Sequence, residues 1–146
     1  MISTSCRIYV HASKDRGLHE VPGEPSNPRI KFAIKMSAPW LDPDDSVTAW
    51  CGCIRGLWGL ETSTGVPADH YRAASWMGWG QPVTISEAQE GDTVILRRPG
   101  GKHVALFEKW QGDDFVQLFG GNQSNGTNSK AFRKTDIIGI RRLLLP

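Results

Sequence analysis

The pattern of apolar and polar residues changes near the middle of the chain, and the first half is typical of helices. A helix is predicted from about Thr4 to Arg16, where a glycine ends it. A second helix begins at Asn27-Pro28, with asparagine as the N-cap and proline in the first helical position. In that helix Ile30, Ala33 and Ile34 fall on one face, which predicts a buried stripe.

Two further helices are predicted before the pattern changes. Asp44-Asp45-Ser46 supplies capping side chains for a helix from about Val47 to Leu60. Asp69 could cap a short helix that runs to about Met77. The first half is therefore predicted to be helical.

The second half alternates short β-branched or aromatic segments with turns rich in glycine and aspartate, which is typical of antiparallel strands. The predicted strands are Thr93–Leu96, His103–Trp110, Phe115–Phe119 and Ile137–Leu143. Helices followed by antiparallel strands predict an α+β fold in which the helices pack on one face of a small sheet.

Composition agrees with one globular domain that spans residues 1–146, because 39% of the residues are hydrophobic and 22% are charged. The formal net charge of +2 lacks the strong basic excess of a nucleic-acid-binding protein. No apolar segment approaches the roughly 18 residues of a membrane span, and the first residues lack a signal peptide pattern. We therefore expect a soluble monomer that is made in the cytoplasm, with no nucleic-acid partner and no stable membrane insertion.

The cysteine and histidine counts argue against disulfides, metals and cofactors. Cys6, Cys51 and Cys53 are an odd number of cysteines, and the last two are too close in sequence for a relaxed bridge. A Cys-x-Cys pair without a second pair is a poor zinc signature, and the histidines share no ligand spacing. We expect no metal site and no cofactor.

Cys51 is a candidate nucleophile because it lies near the start of a predicted helix. The free N–H groups and the dipole at a helix N-terminus favour a thiolate. Cys53 lies about 200° further round the helix, so that the two thiols cannot share a face. One thiol is expected to face the site and the other to face the helical core.

His103 is the candidate base, and the predicted hairpin provides its partner. If Gly112-Asp113 forms the two-residue loop, Leu106 lies opposite Phe119 and Asn122 lies opposite His103. An amide oxygen at that place can accept the imidazole N–H and fix the tautomer. A bulge at the preceding glycines would shift the register by one residue and make Gln123 the partner.

Cysteine on a helix N-terminus, histidine on a strand and an amide on the next strand form a Cys-His-Asn arrangement of the papain kind. The chain resembles the NlpC-type branch of papain-like cell-wall peptidases and amidases, and more narrowly a small single-domain, phage endolysin-like subfamily. The resemblance extends from about Arg7 to Leu143. Its marks, in order, are His19–Gly23, Asn27-Pro28, Trp50-Cys51, Ala73–Trp76, Gly91-Asp92, His103-Val104 and Gly120–Gln123. The chain departs from the broader family at Trp50, at Gly52-Cys53 and at Lys102.

The resemblance implies a papain-like peptidoglycan hydrolase that needs no cofactor. Cys51 would be the nucleophile, His103 the general base and Asn122 the residue that orients the imidazole. The partner would be the stem peptides of peptidoglycan, with glycan contacts left open, and an endopeptidase is favoured over an amidase. Absence of targeting signals favours a bacteriophage endolysin, which is released to act on the bacterial cell wall.

Two other classes of protein are the alternatives. A lysozyme-type glycosidase needs two carboxylates across a cleft, and Glu20 and Glu61 show no such arrangement. A non-catalytic wall-binding module would use the six tryptophans but would have no use for the cysteine, histidine and amide. Among the tryptophans, Trp50 is the one expected to line a cleft beside Cys51.

Overall fold

Helices occupy the first half and strands the second in the computed structural model, which describes residues 3–23 and 26–144. The α-helices are α1 (Thr4–Ala12), α2 (Pro28–Ser37) and α3 (Cys51–Glu61). The strands are β1 (Gln81–Pro82), β2 (Thr93–Arg98), β3 (Gly101–Gln111), β4 (Phe115–Gln123), β5 (Gly126–Arg133) and β6 (Ile137–Arg142). Short 3₁₀ helices cover Ser13–Asp15, Ala73–Gly78, Ile85–Glu87 and Lys134–Asp136. The predicted mixture of helices and antiparallel sheet is observed.

The first two helices begin where the sequence predicts. The Ser3 side chain accepts a hydrogen bond from the amide of Cys6 at the start of α1. The Asn27 side chain accepts from the amides of Arg29 and Ile30 at the start of α2. Both caps satisfy N–H groups that have no partner inside the helix.

The predicted start of α3 is wrong by four residues, because the helix begins at Cys51 rather than at Val47. Asp45 does not cap it. Its buried carboxylate instead accepts hydrogen bonds from the amides of Val21 and Asn27, at 3.0 Å each, and so holds the segment before α2 in place. Cys51 consequently occupies the first helical position, where the N–H groups are free.

The predicted short helix after Asp69 is a 3₁₀ helix that starts later, at Ala73. Asp69 has a left-handed backbone with φ of 53° and lies in the preceding turn, where its side chain does not cap the helix. The expectation of helical structure is met, but its type and start differ.

The six strands form one antiparallel sheet in the order β1-β6-β2-β3-β4-β5. Leu106 pairs with Phe119, and the neighbouring pair also follows the predicted register. A bulge then shifts the end of the hairpin, so that Trp110 pairs with Val116 instead of Phe115. Strands β1 and β5 were not predicted.

Apolar side chains cover both faces of the sheet. On one face α3 packs against β3 and β4, and Trp58 stacks on Phe119 with ring centroids 5.8 Å apart. The other face carries a second cluster of buried side chains, which comprises Val94, Leu96, Ala105, Phe107, Val116, Leu118 and Ile140. The N-terminus of α3 therefore lies against the middle of the sheet, next to β3 and β4.

Candidate active site

Cys51 lies at the start of α3 and is only 5% exposed. Burial raises the pKa of its thiol. Four groups lower the pKa of this thiol, because they favour the thiolate. They are the nearby N–H group of Val104, the charge of Arg98 and the N–H groups of Gly52 and of Cys51 itself. Burial outweighs them, so that the thiol is protonated in this conformation and needs a base.

Cys53 has different surroundings. Its thiol lies near the side chain of Ser37 on α2, and burial raises its pKa to about 11. The thiol of Cys51 faces β3, whereas that of Cys53 faces α2. The two thiols therefore point in different directions, as the helical spacing predicts.

His103 is fully buried on β3, and both of its ring nitrogens are paired. Nη1 of Arg98 lies 3.1 Å from Nδ1, and Oε1 of Gln123 lies 3.0 Å from Nε2. A guanidinium group can only donate, so Nδ1 must accept and Nε2 must carry the proton that is donated to Gln123. The ring also stacks on Phe132, with centroids 5.3 Å apart. These contacts hold the neutral imidazole in one tautomer.

Gln123, rather than Asn122, is the amide that contacts His103. The β4–β5 register shifts between Gly120 and Gln123, and Asn122 has a left-handed backbone with φ of 58°. This irregularity carries the next residue to the imidazole, so that the predicted pairing of Asn122 is not formed. The amide group of Gln123 is fixed in turn, because its Nε2 donates to the carbonyl oxygen of Asn128 at 2.7 Å.

A cleft of about 180 Å³ opens at the start of α3. Its lining residues include Cys51, Asn122 and the β2–β3 turn, and the complete set is Ala49, Cys51, Arg98, Pro99, Gly100, Gly101, Lys102 and Asn122. Arg98 and Lys102 give this cleft a positive charge, and none of its lining residues carries a carboxylate. The cleft therefore brings a nucleophile candidate and two cations to one solvent-accessible place.

The thiol of Cys51 and the imidazole of His103 form no hydrogen bond with each other among the described residues. The thiol lies near the amide of Val104, the residue that follows His103. The ring nitrogen that a papain-like thiol would use, Nδ1, is instead paired with Arg98. The structure thus unites His103 with Gln123 and places Cys51 and Arg98 in the same cleft.

Trp50 does not line the cleft, contrary to the prediction. Its side chain has no exposed surface, and its indole N–H donates to a carboxylate oxygen of Glu20 at 2.9 Å. Gly121 lies directly against the indole ring of Trp50. A Cβ atom added to this glycine would come within 2.5 Å of the ring. Trp50 therefore packs between α3 and β4.

The described part of the chain contains no group of three or more His, Cys, Asp or Glu side chains arranged to hold a metal ion. Across residues 3–23 and 26–144, no helix is long and apolar enough to cross a membrane.

Burial of His103 predicts a pH dependence of stability. The pKa of this imidazole is lowered from 6.5 to about 4, chiefly by burial. Between these pH values the unfolded chain binds a proton that the folded chain does not, so stability falls as the pH falls from 6.5 to 4. The loss amounts to about 3 kcal/mol. Urea unfolding across this range should show a clearly smaller loss in His103→Gln than in the parent.

The exposed histidine His19 provides the control for this measurement. His19→Gln removes an imidazole without touching the buried one, and should keep the parent's dependence on pH. If His103→Gln also kept it, the buried neutral state of His103 would be wrong.

Comparison with known proteins identifies a fold but no family. No family model and no curated protein matches this chain. Among solved structures, it is similar to the P60 domain of an antigen from M. avium paratuberculosis. The TM-score is 0.57 at 12% sequence identity, and the match covers 96% of this chain and 93% of the other. The chain thus has an α+β fold like that of a P60 domain, which belongs to the NlpC/P60 family.

Proposed function

We propose that this chain is a cysteine peptidase or amidase that cleaves an amide bond in the peptide part of peptidoglycan. The observation that carries the proposal is the pairing of His103 with Gln123, together with a cysteine at the N-terminus of α3 that lies near the next residue of β3, Val104. Because Nε2 carries the proton that is donated to Gln123, Nδ1 is the basic nitrogen of the ring. Its partner among the described residues is Arg98. Sequence resemblance to NlpC-type enzymes and the P60-like fold support the same conclusion.

In the first step Nδ1 of His103 takes the proton from the thiol of Cys51. The thiolate attacks the carbonyl carbon of the scissile amide, and a tetrahedral intermediate forms. The backbone N–H of Cys51, free at the start of α3, donates a hydrogen bond to the developing oxyanion.

In the second step the protonated His103 gives its proton to the leaving amine, and an acyl-enzyme remains. Water, activated by the same imidazole, then hydrolyses the thioester. Gln123 accepts the N–H of the ring throughout and stabilises the imidazolium, which is the role that the sequence resemblance assigns to Asn122. Asn122 instead contributes to the wall of the cleft.

Within this class we favour an endopeptidase over an N-acetylmuramoyl-L-alanine amidase, and an endolysin of a bacteriophage over a bacterial enzyme. Both choices are supported by the sequence resemblance. Sequencing of the new chain ends tests the first choice. Lysis of chloroform-permeabilised host cells by the added protein tests the second.

A glycosidase is disfavoured because both candidate carboxylates are already paired. Glu20 accepts from the indole of Trp50, and Glu61 accepts two hydrogen bonds from Arg29 and pairs with His11. A wall-binding module that stacks tryptophans on sugars is disfavoured because most of the rings are inside the protein. The buried ones are Trp50, Trp58, Trp76 and Trp79.

Digestion of purified murein tests the proposed reaction. A thiolate forms an acyl-enzyme with a carbonyl but has no route to a glycosidic bond. We therefore expect new free amino groups and no new reducing sugar ends. Treatment with iodoacetamide should stop amine release, whereas EDTA should leave it unchanged.

New reducing ends that persist in Cys51→Ala would contradict the proposal and favour the glycosidase. Binding of murein without any new chain end would favour the wall-binding module. Loss of activity with EDTA, and its recovery with a divalent metal, would exclude the metal-free mechanism.

A further inference from the structure

Arg98 makes a contact that conflicts with the proposed mechanism. Its Nη1 donates to Nδ1 of His103 at 3.1 Å and so occupies the lone pair that must take the thiol proton. Nε2 of the same ring is held by Gln123. With both nitrogens paired, His103 cannot act as the base until Arg98 moves.

The surroundings of Arg98 show what could move it. Its side chain is exposed and lines the cleft beside Cys51, together with exposed Lys102. No carboxylate lines this cleft, and neither cation forms an ion pair with a described residue. Two cations that have no carboxylate partner among the described residues, next to a candidate nucleophile, favour a negatively charged ligand.

We propose that Arg98 recognises a carboxylate of the substrate close to the scissile amide, and that this pairing releases His103 to accept the thiol proton. The proposal rests on the proposed function and adds the substrate feature that the cleft selects. A charge-assisted, two-point pairing between guanidinium and carboxylate is stronger than a single hydrogen bond to a neutral imidazole. The exchange is therefore favourable, and it makes the catalytic pair available when an anionic substrate is bound.

The position of Arg98 allows the exchange without unfolding. It is the last residue of β2 and lies opposite Gly101 in β3, at the glycine-containing turn between the strands. Gly100 has a positive φ of 83° and open space around it. Arg98 is exposed beside this turn, so its guanidinium can move from the imidazole towards the cleft by side-chain rotation.

Alkylation of Cys51 by a charged and by a neutral reagent tests this role. Iodoacetate and iodoacetamide form the same S–C bond at the thiol, while the C–I bond breaks and iodide leaves. The thiol proton passes to His103 where Arg98 has released it, and otherwise to the buffer. Only iodoacetate carries the carboxylate. The rate at Cys51 is measured from its own peptide by mass spectrometry, which separates it from Cys6 and Cys53.

We expect the ratio of the two alkylation rates at Cys51 to depend on Arg98. The ratio of the iodoacetate rate to the iodoacetamide rate should be about tenfold higher in the parent than in Arg98→Ala. Arg97→Ala is the matched control, because Arg97 is the neighbouring arginine, donates to the carbonyl of Thr135 and does not line the cleft of Cys51. It should keep the parent's ratio. Equal ratios in the parent and Arg98→Ala would overturn the recognition of a carboxylate.

Acetate tests the release of His103 separately. At constant ionic strength, replacing chloride by acetate should accelerate alkylation by neutral iodoacetamide in the parent and have no effect in Arg98→Ala. No acceleration in the parent would overturn the release step. Neither measurement uses murein, so failure of the proposed peptidoglycan activity would leave a positive result for Arg98 intact and distinguishable.

Discussion

Replacing Cys51 by alanine should abolish amide cleavage while the protein stays folded. The substitution removes the sulfur that attacks the carbonyl, and neither His103 nor the free N–H groups of α3 can replace it. We expect a fall of at least about 10³-fold in the rate of amine release from murein. Cys51 is 5% exposed and belongs to the buried cluster beneath α3, so we expect a loss of about 1 kcal/mol in the free energy of unfolding, as for Cys53→Ala.

Cys53→Ala is the matched control, since it removes the same atom two residues along the same helix. Its thiol faces Ser37 and α2, away from the cleft. We expect most of the activity to remain, with a loss of about 1 kcal/mol in the free energy of unfolding. Equal loss of activity in both variants, with circular dichroism unchanged, would mean that Cys51 is not the nucleophile.

The helices of the first half could be predicted because their start signals are local. Asn27 and Pro28 determine the start of α2 through contacts within a few residues, and the apolar stripe behind them is buried as the spacing predicts. The start of α3 could not be found in this way. Asp45 has the chemistry of a cap, but its hydrogen bonds go to Val21 and Asn27, which are distant in sequence.

The missing strand β5 has a different cause. Its first residues, Gly126–Lys130, are small or polar and lack the alternation of a half-buried strand. They are held in the sheet by pairing with β4, which is a tertiary contact. Pattern reasoning detects strands that bury side chains and misses those that mainly supply backbone partners.

The candidate site was predictable only in part, because some of its contacts depend on tertiary structure. The helix N-terminus and the hairpin register place Cys51 and His103 near β3, as the structure shows. The choice between Asn122 and Gln123 depends on a single left-handed residue, which an Asn in a glycine-rich segment allows but does not require. Arg98 carried no signal beyond its charge, because its contact with His103 depends on strand pairing across the β2–β3 turn.

Gln123→Ala should lower the turnover number by roughly 10²-fold or more, but less than His103→Ala does. Without Oε1 of Gln123 the imidazole loses the acceptor that fixes its tautomer, and the imidazolium loses its stabilising partner. Asn122→Gly is the control, because glycine tolerates the positive φ at this position and the cleft loses only one wall side chain. It should keep most of the activity.

A second variant separates orientation of the ring from simple damage to the fold. Gln123→Glu places a carboxylate on the imidazole N–H and should raise the pKa of His103, which burial holds at about 4. The acid limb of the pH profile of kcat/KM should therefore move to higher pH, an effect that loosened packing would not produce. A silent Gln123→Ala combined with a damaging Asn122→Gly would mean that Asn122 orients His103 in the active enzyme, as the unbulged hairpin predicts.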